Sequence, residues 1–493
     1  MPPKDLRNKT AHSVKWNLVD KLASQVLYAL TGIVLARELS PDDFGLVGAA
    51  LVFQAFASLL VDSGFSYALL QRRQPSRLDY STVLWFNIGC AVVLYLVLFA
   101  CAPLIAGCFQ HDMRLVPVSR VLFLAIILNA ATIVQTNRLM KAMEVRGVAL
   151  SNAIGLSCGG AVGIGLAVGG FGVWAIVWQT LTGAAVRGIV LWTSTRWRPL
   201  LRFSWPSLRS FFGLGSRMML TSFLRTVFLN IYSFLIGNRV GLAPLGYYTQ
   251  ADKWSKMGTS SLSQVLTSSF VPTLSAVQNQ PERYRAMSSK MTRFTAYLLF
   301  PAMLWLAAAA SPLFHALFGT KWDPAVILFQ LLLVRGIFVV LTSLSTNFLL
   351  ALGYGSSIVK LEVLTDSVAL GALVATFPVM GWSTPEHPVL GITILLCGQL
   401  LASVVAWVAT VWTTFRRVGL GAGRYCMDLA PYLCLTLLIL PLMLLGGSCV
   451  GANAWIVLLV EAAIALTAYL GVNRLLGSQI QRDVLEYIRK GMK

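Results

Sequence analysis

Long apolar runs alternate with short polar interruptions along almost the whole chain. A helix that crosses the hydrocarbon core of a bilayer needs about 20 mostly apolar residues. Runs of that kind occupy residues 14–36, 44–69, 82–108, 115–137, 148–168, 171–194, 211–237, 247–276, 292–318, 324–352, 357–379, 388–414, 428–446 and 452–473, which predicts about 14 transmembrane helices and an all-α membrane fold. The run 247–276 is the most polar, with Lys253, Lys256 and many Ser and Thr. It is retained because the alternation of charge between successive loops breaks without it.

The first two runs are joined by Arg37-Glu-Leu-Ser40-Pro41-Asp42-Asp43-Phe44-Gly45. Ser40 can accept a free backbone N–H of a new helix, and Pro41 at the first helical position loses no hydrogen bond. Asp42 and Asp43 then stand in the first turn, where the helix dipole favours negative charge, and Ser40 with Asp43 has the capping-box spacing. One helix should therefore end near Arg37 and the next begin at Pro41.

A weaker copy of this segment, Arg239 to Gly246, lies 202 residues further on. Pro103 to Phe109 is matched by Pro312 to Phe318, Asn137 to Ala142 by Asn347 to Leu352, and Gly172 to Gln179 by Gly391 to Gln399. The offsets rise in order, as expected of a duplicated unit of six spans. An even number of spans inserts both copies in the same direction, related by an axis along the membrane normal. The expected organisation is a first lobe over 1–194, a cytoplasmic linker over 195–210, a second lobe over 211–415, and two further helices with a cytoplasmic tail over 416–493.

Composition agrees with a membrane protein. Hydrophobic residues make up 57% of the chain and charged residues 12%; a soluble domain carries about 25% charged residues. Mean hydropathy is +0.72. The net charge of +20 would point to nucleic acid in a soluble protein, but here Lys and Arg sit in short loops between apolar runs. Counted by side, 27 lie at the termini and in even loops and four in odd loops. That bias places both termini and the linker in the cytoplasm and argues against a nucleic-acid partner. The first dozen residues are polar and basic and lead directly into an apolar run, which is expected to be a retained span. Eight cysteines form no CxxC pair and four histidines are scattered, so no metal site is expected.

Ionisable groups inside a bilayer are costly and usually line a wet cavity. Arg120, Arg187 and Arg217 lie near span ends, where they can snorkel to the headgroups. Arg225, Lys256 and Arg335 lie deeper, and Lys253 shares a helical face with Lys256. Asp252, four residues before Lys256, can neutralise it. Tyr247, Tyr248, Gln250 and Trp254 surround the lysines in sequence, a mixture that suits a sugar or pyrophosphate headgroup. Arg225, Lys253, Lys256, Arg335, Tyr247 and Tyr248 are therefore the candidate substrate-binding residues. Acids are fewer: Asp20 and Asp62 are the candidates for coupling to a proton or sodium gradient, and Glu461 has no evident role. No P-loop, dinucleotide fingerprint, nucleophile elbow or metal cluster is present in the sequence, and no catalytic residue or cofactor is expected.

The run Ala36 to Val47, with Asp62-Ser-Gly-Phe65, Ala68 to Arg72, Trp85-Phe-Asn87, Arg196-Trp-Arg198-Pro199 and Leu245-Gly-Tyr-Tyr248, resembles the polysaccharide-transport branch of the MOP superfamily. These are the Wzx-type oligosaccharide flippases, relatives of the MATE exporters. The resemblance covers roughly residues 10 to 415. It implies two six-helix lobes in a V-shaped arrangement around a cationic cavity, and alternating access in the inner membrane of a bacterium. It implies an undecaprenyl-pyrophosphate-linked oligosaccharide as cargo, for surface polysaccharide, lipopolysaccharide or capsule biosynthesis, with the polymerase and glycosyltransferases of the same pathway as partners besides membrane lipids. Two other readings stay open: a MATE-like drug or ion-coupled exporter, and a membrane-embedded glycosyltransferase or polymerase on the same lipid. Against the first stands the shortage of deep acids. Against the second stands the shortness of the external loops, whose acids are only Glu38, Asp42, Asp43, Asp112, Asp323 and Glu386.

Overall fold

The structure is a computed structural model. It describes residues 4–483 and 486, apart from positions 63, 73, 196, 385, 386, 420 and 452. Arg73, Arg196, Glu386, Arg489, Lys490 and Lys493 of the charge reading lie outside the described residues, as does the side chain of Arg217. Among the described residues there is no strand.

In chain order the helices are α1 (Lys4–Glu38), α2 (Pro41–Asp62), α3 (Phe65–Gln71), α4 (Arg77–Cys108), α5 (Leu115–Leu122), α6 (Leu124–Lys141), α7 (Val145–Val168), α8 (Trp174–Ser194), α9 (Trp205–Arg239) and α10 (Leu242–Ser275). They continue as α11 (Pro281–Ala308), α12 (Ala310–Leu317), α13 (Asp323–Ala351), α14 (Gly355–Thr376), α15 (Leu390–Val418), α16 (Ala422–Ser448) and α17 (Ala454–Leu475). Thirteen stretches among the described residues are long and apolar enough to cross a membrane. The helix expected as the eighth span, α10, is continuous over 34 residues, but its polar content keeps it below that measure. Three expected spans are each divided between two α-helices: 44–69 at Gly64, between α2 and α3, 115–137 at Phe123, between α5 and α6, and 292–318 at Ala309, between α11 and α12. Apolar side chains stand outward on the spans, as with Leu104 and Leu438, each 71% exposed. Outward apolar positions along helices of this length suit a lipid surrounding.

The predicted hairpin is present. Asp43 N–H donates to Ser40 Oγ at 3.2 Å, and the Ser40 N–H donates back to the Asp43 carboxylate at 3.0 Å. A second capping box, Ser76 with Asp79, starts α4.

By internal contacts the chain divides into two compact units, Met1–Thr249 and Gln250–Lys493. In the first unit the tightest seam joins α7 to α8. Gly155, Gly159 and Gly163 recur every four residues along one face of α7. A Cβ on Gly159 would stand 2.6 Å from the Gln179 carbonyl oxygen, and one on Gly155 2.8 Å from that of Gly183. Small residues at this spacing let two backbones approach within a membrane, where van der Waals packing replaces the hydrophobic drive between helices.

The segment between α8 and α9 is a strap fixed to α4. Leu200 N–H donates to Ser81 Oγ at 2.8 Å and Ser204 N–H to Thr82 Oγ1 at 3.2 Å. Trp85 Nε1 donates to the Leu200 carbonyl at 2.8 Å, and the Arg77 guanidinium to that of Arg198 at 2.9 and 3.1 Å. Trp197 is buried against Tyr80, and the Arg138 guanidinium lies 5.0 Å from the Trp197 ring centroid. Asp79 accepts from Ser207 Oγ at the start of α9. In the second unit, Tyr284 of α11 donates to the Phe348 carbonyl of α13 at 2.6 Å, and Tyr469 of α17 to that of Tyr297 at 2.9 Å.

Candidate functional site

Charged groups within spans are held differently in the two units. In the first unit, Asp20 on α1 accepts hydrogen bonds from Asn152 Nδ2 on α7 at 3.1 and 3.2 Å, one to each carboxylate oxygen, and a longer one from Ser24 at 3.4 Å. Arg187 on α8 is half-buried, with Asp20 and the Tyr28 hydroxyl within electrostatic reach of its guanidinium. Its Nε is buried and meets no acceptor. A Cβ on Gly155 would stand 3.0 Å from Arg187 Cβ, so the glycine face of α7 leaves the arginine its room. The cluster thus combines a carboxylate, an amide that orients it, and a guanidinium that is incompletely satisfied. It can hold a proton or a small cation at Asp20, or use Asp20 to orient Arg187.

Distance from the end of its span alone puts Arg187 at an interface; the structure sets it against α7 beside Asp20. The GxxxGxxxG spacing of α7 and the amide of Asn152 were the signals that could have found this cluster. Asp62 is held apart from it: Ser66 Oγ donates to Asp62 at 2.5 Å and in turn accepts from Asn137 Nδ2 at 2.7 Å. Gly64, between α2 and α3, adopts φ +70°, which only glycine adopts freely.

The cationic candidates fall in both units. Arg225 is exposed on α9 in the first unit, as are Tyr247, half-buried, and Tyr248, only 3% exposed, on α10. Lys253, Lys256 and Arg335 belong to the second. Lys256 Nζ is 2.6 Å from the Asp252 carboxylate, the local neutralisation the sequence allowed. Lys253 Nζ lies 5.8 Å from the Trp254 ring centroid, while Trp254 Nε1 donates to Gln250 at 3.2 Å. Arg335 Nε on α13 donates to Ser403 Oγ on α15 at 3.3 Å.

Two contacts seat α10 on α13. Gly336 accommodates Thr259, whose Cγ2 would be 2.3 Å from a Cβ there, and Asn347 Nδ2 donates to Thr267 Oγ1 at 3.0 Å. Arg335 adjoins Gly336 and Lys256 is one turn before Thr259. Both cations thus lie next to this helix contact in sequence, Arg335 reaching across to α15 and Lys256 paired with Asp252. Guanidinium and ammonium groups in such a place bind phosphate oxygens well, Arg through paired N–H donors and Lys as a point charge. Among the described residues no group of His, Cys, Asp and Glu could hold a metal ion.

Comparison with known proteins agrees with this architecture. The chain superposes on the lipid II flippase MurJ in its inward closed conformation with a TM-score of 0.69, covering 96% of this chain and 100% of that one at 13% identity. It superposes on an inward-facing multidrug resistance MATE transporter of the MOP superfamily with a TM-score of 0.56, covering 80% and 94% at 16% identity. It is therefore a multi-pass membrane protein with the fold that these two structures share. The family model described as "Polysaccharide biosynthesis protein" matches residues 34–327, and the chain belongs to that family. Among its relatives, the succinoglycan biosynthesis transport protein ExoT of Rhizobium meliloti (strain 1021) is 27% identical over 76% of each chain. The lipopolysaccharide biosynthesis protein WzxC of Escherichia coli (strain K12) is 26% identical over 67% of this chain and 68% of its own.

Proposed function

We propose that this protein is a flippase that carries an undecaprenyl-pyrophosphate-linked oligosaccharide across the bacterial cytoplasmic membrane by alternating access, for assembly of a surface polysaccharide. One observation carries the reading: intramembrane cations outnumber intramembrane acids in a chain of the polysaccharide biosynthesis family. A surplus of positive charge selects an anionic cargo, and a pyrophosphate offers closely spaced oxygens to Arg and Lys. Arg225, Lys253, Lys256 and Arg335 bind the pyrophosphate, and Tyr247 and Tyr248 support the headgroup region. Asp20 carries or orients the coupling charge through Arg187. Both termini and the strap before α9 face the cytoplasm, where the basic loops are expected.

Reconstitution into liposomes with purified lipid-linked oligosaccharides tests the reading. Labelled oligosaccharide on the inner leaflet should become accessible to an impermeant glycosidase outside, faster than in protein-free liposomes. Equal rates with and without protein, for every oligosaccharide supplied, would reject it.

A further inference from the structure

In the second unit, a cavity of about 410 Å³ lies where α11, the start of α16 and the segment after α17 meet. Arg293, Arg424, Asp428 and Ser478 supply its polar lining, and Met427 and Ile480 part of its apolar wall. Asp428 is committed to the protein: Ser289 Oγ donates to one of its oxygens at 2.5 Å, and Arg293 Nε lies 3.3 Å from the other. That arginine contact is an ion pair off the line of a hydrogen bond, since Arg293 Nε is buried without an acceptor. Ser478 Oγ is also buried without a partner. Lys290, one turn before Arg293, is paired with Asp483 of the segment after α17 at 2.6 Å.

Two arginines against one carboxylate leave a single net positive charge, with unpaired N–H and O–H groups around an open volume. Unsatisfied buried donors are costly unless something binds them. Arginine forks match phosphate oxygens, and the mixed lining fits a group that is anionic at one end and apolar at the other. Met427, on the flank of the cavity near the start of α16, is 74% exposed. We propose that this cavity binds the phosphate ester of an anionic amphiphile, with Arg293 and Arg424 on the phosphate oxygens and Ser478 as a further donor. The site does not depend on the cargo reading and shares no residue with the cargo candidates.

The full-length protein, delipidated in detergent, is titrated with phosphatidylglycerol, with phosphatidylcholine, and with soluble glycerol phosphate, and bound molecules are counted by native mass spectrometry. Arg424→Gln is the main variant because Arg424 is exposed. Arg416→Gln is the control: it removes the same charge from a nearby arginine, 5.1 Å from the Trp412 ring centroid, outside the cavity. Tight binding of phosphatidylglycerol that weakens about tenfold or more in Arg424→Gln, and is unchanged in Arg416→Gln, supports the site with a lipid as its source. Tight binding of glycerol phosphate with the same dependence on Arg424 supports the same phosphate chemistry with a soluble source. Equal weakening in both variants, no effect of either, or equal binding of phosphatidylcholine overturns the proposal.

Discussion

Gly45 and Gly246 lie reciprocally against each other's helices. A Cβ on Gly45 would stand 1.8 Å from the Leu242 carbonyl oxygen, and one on Gly246 1.8 Å from the Pro41 carbonyl oxygen. These are the glycines that close the two copies of the Arg-to-Gly segment found in the sequence. Each copy thus supplies the gap into which the other's backbone fits. Nearby, Asn238 Nδ2 donates to the Cys108 carbonyl at 2.5 Å. Gly45→Ala and Gly246→Ala are each expected to destabilise the protein by about 1–3 kcal/mol, the cost of overpacking a tight contact. Gly89→Ala, with open space around the glycine, should leave thermal unfolding in detergent unchanged and serves as the control.

The hairpin and the order of the helices were legible because each is written in local signals: a capping box, a run of apolar residues, a proline at a helix start. Arg187 was not, because its surroundings depend on how closely α7 approaches α8, and hydropathy does not weigh a glycine face. The sequence marks the strap before α9 only as a cytoplasmic linker. Its anchors are Ser81 and Thr82, small polar residues inside an otherwise apolar run, whose partners lie more than a hundred residues away. The cationic candidates were named from depth along single helices. The pairing of Lys256 with Asp252 was visible at i, i+4, whereas the Arg335 contact with Ser403 has no local trace.

The strap's hydrogen bonds give a direct test of that anchoring. Ser81→Ala removes the acceptor of the Leu200 N–H, and Thr82→Val that of Ser204. A net hydrogen bond contributes about 1 kcal/mol, so amide exchange at Leu200 and Ser204 should accelerate about fivefold in the respective variants. Exchange in α7 should stay the same. Hydrogen exchange resolved to single amides reads the result.

We propose that Asp20 couples transport to an ion gradient. Asp20→Asn removes the charge while keeping the shape, and it should change the dependence of transport on proton or sodium gradients without loss of folded protein. Asn152→Ala, which removes the amide that orients the carboxylate, should shift the same dependence in part. Transport by Asp20→Asn with unchanged response to both gradients would remove Asp20 from the mechanism.

Arg114, in the loop between α4 and α5, bridges Asp112 at 2.5 Å and Asp42 at 2.7 Å. The guanidinium holds the Asp112 carboxyl below its ordinary value of 3.8 by hydrogen bonding and charge. The folded state therefore binds this proton less readily than the unfolded chain. The stabilisation is fully present above the ordinary carboxylate range and is lost as pH falls through the lowered value. Asp112→Asn should lower Tm at neutral pH, and the difference from the parent should shrink as the pH drops below about 4. Melting curves across pH 3 to 7 measure it; a constant difference over that whole range would contradict the pairing.

The central claim is that the intramembrane cations bind the pyrophosphate of the cargo, and binding of a lipid pyrophosphate to purified variants tests it most directly. A charge-assisted hydrogen bond contributes about 1.5–3 kcal/mol, so loss of one contact should weaken binding by roughly tenfold to a hundredfold. Affinity of the parent should fall with added salt, and Arg335→Lys should also lose affinity because lysine cannot make the planar two-point contact. The prediction is that Arg225→Ala, Lys253→Ala, Lys256→Ala and Arg335→Ala each fold normally and bind the pyrophosphate more weakly than the parent. Parent-like affinity in all four, at low and at high salt, would contradict the account and leave these charges a structural role alone.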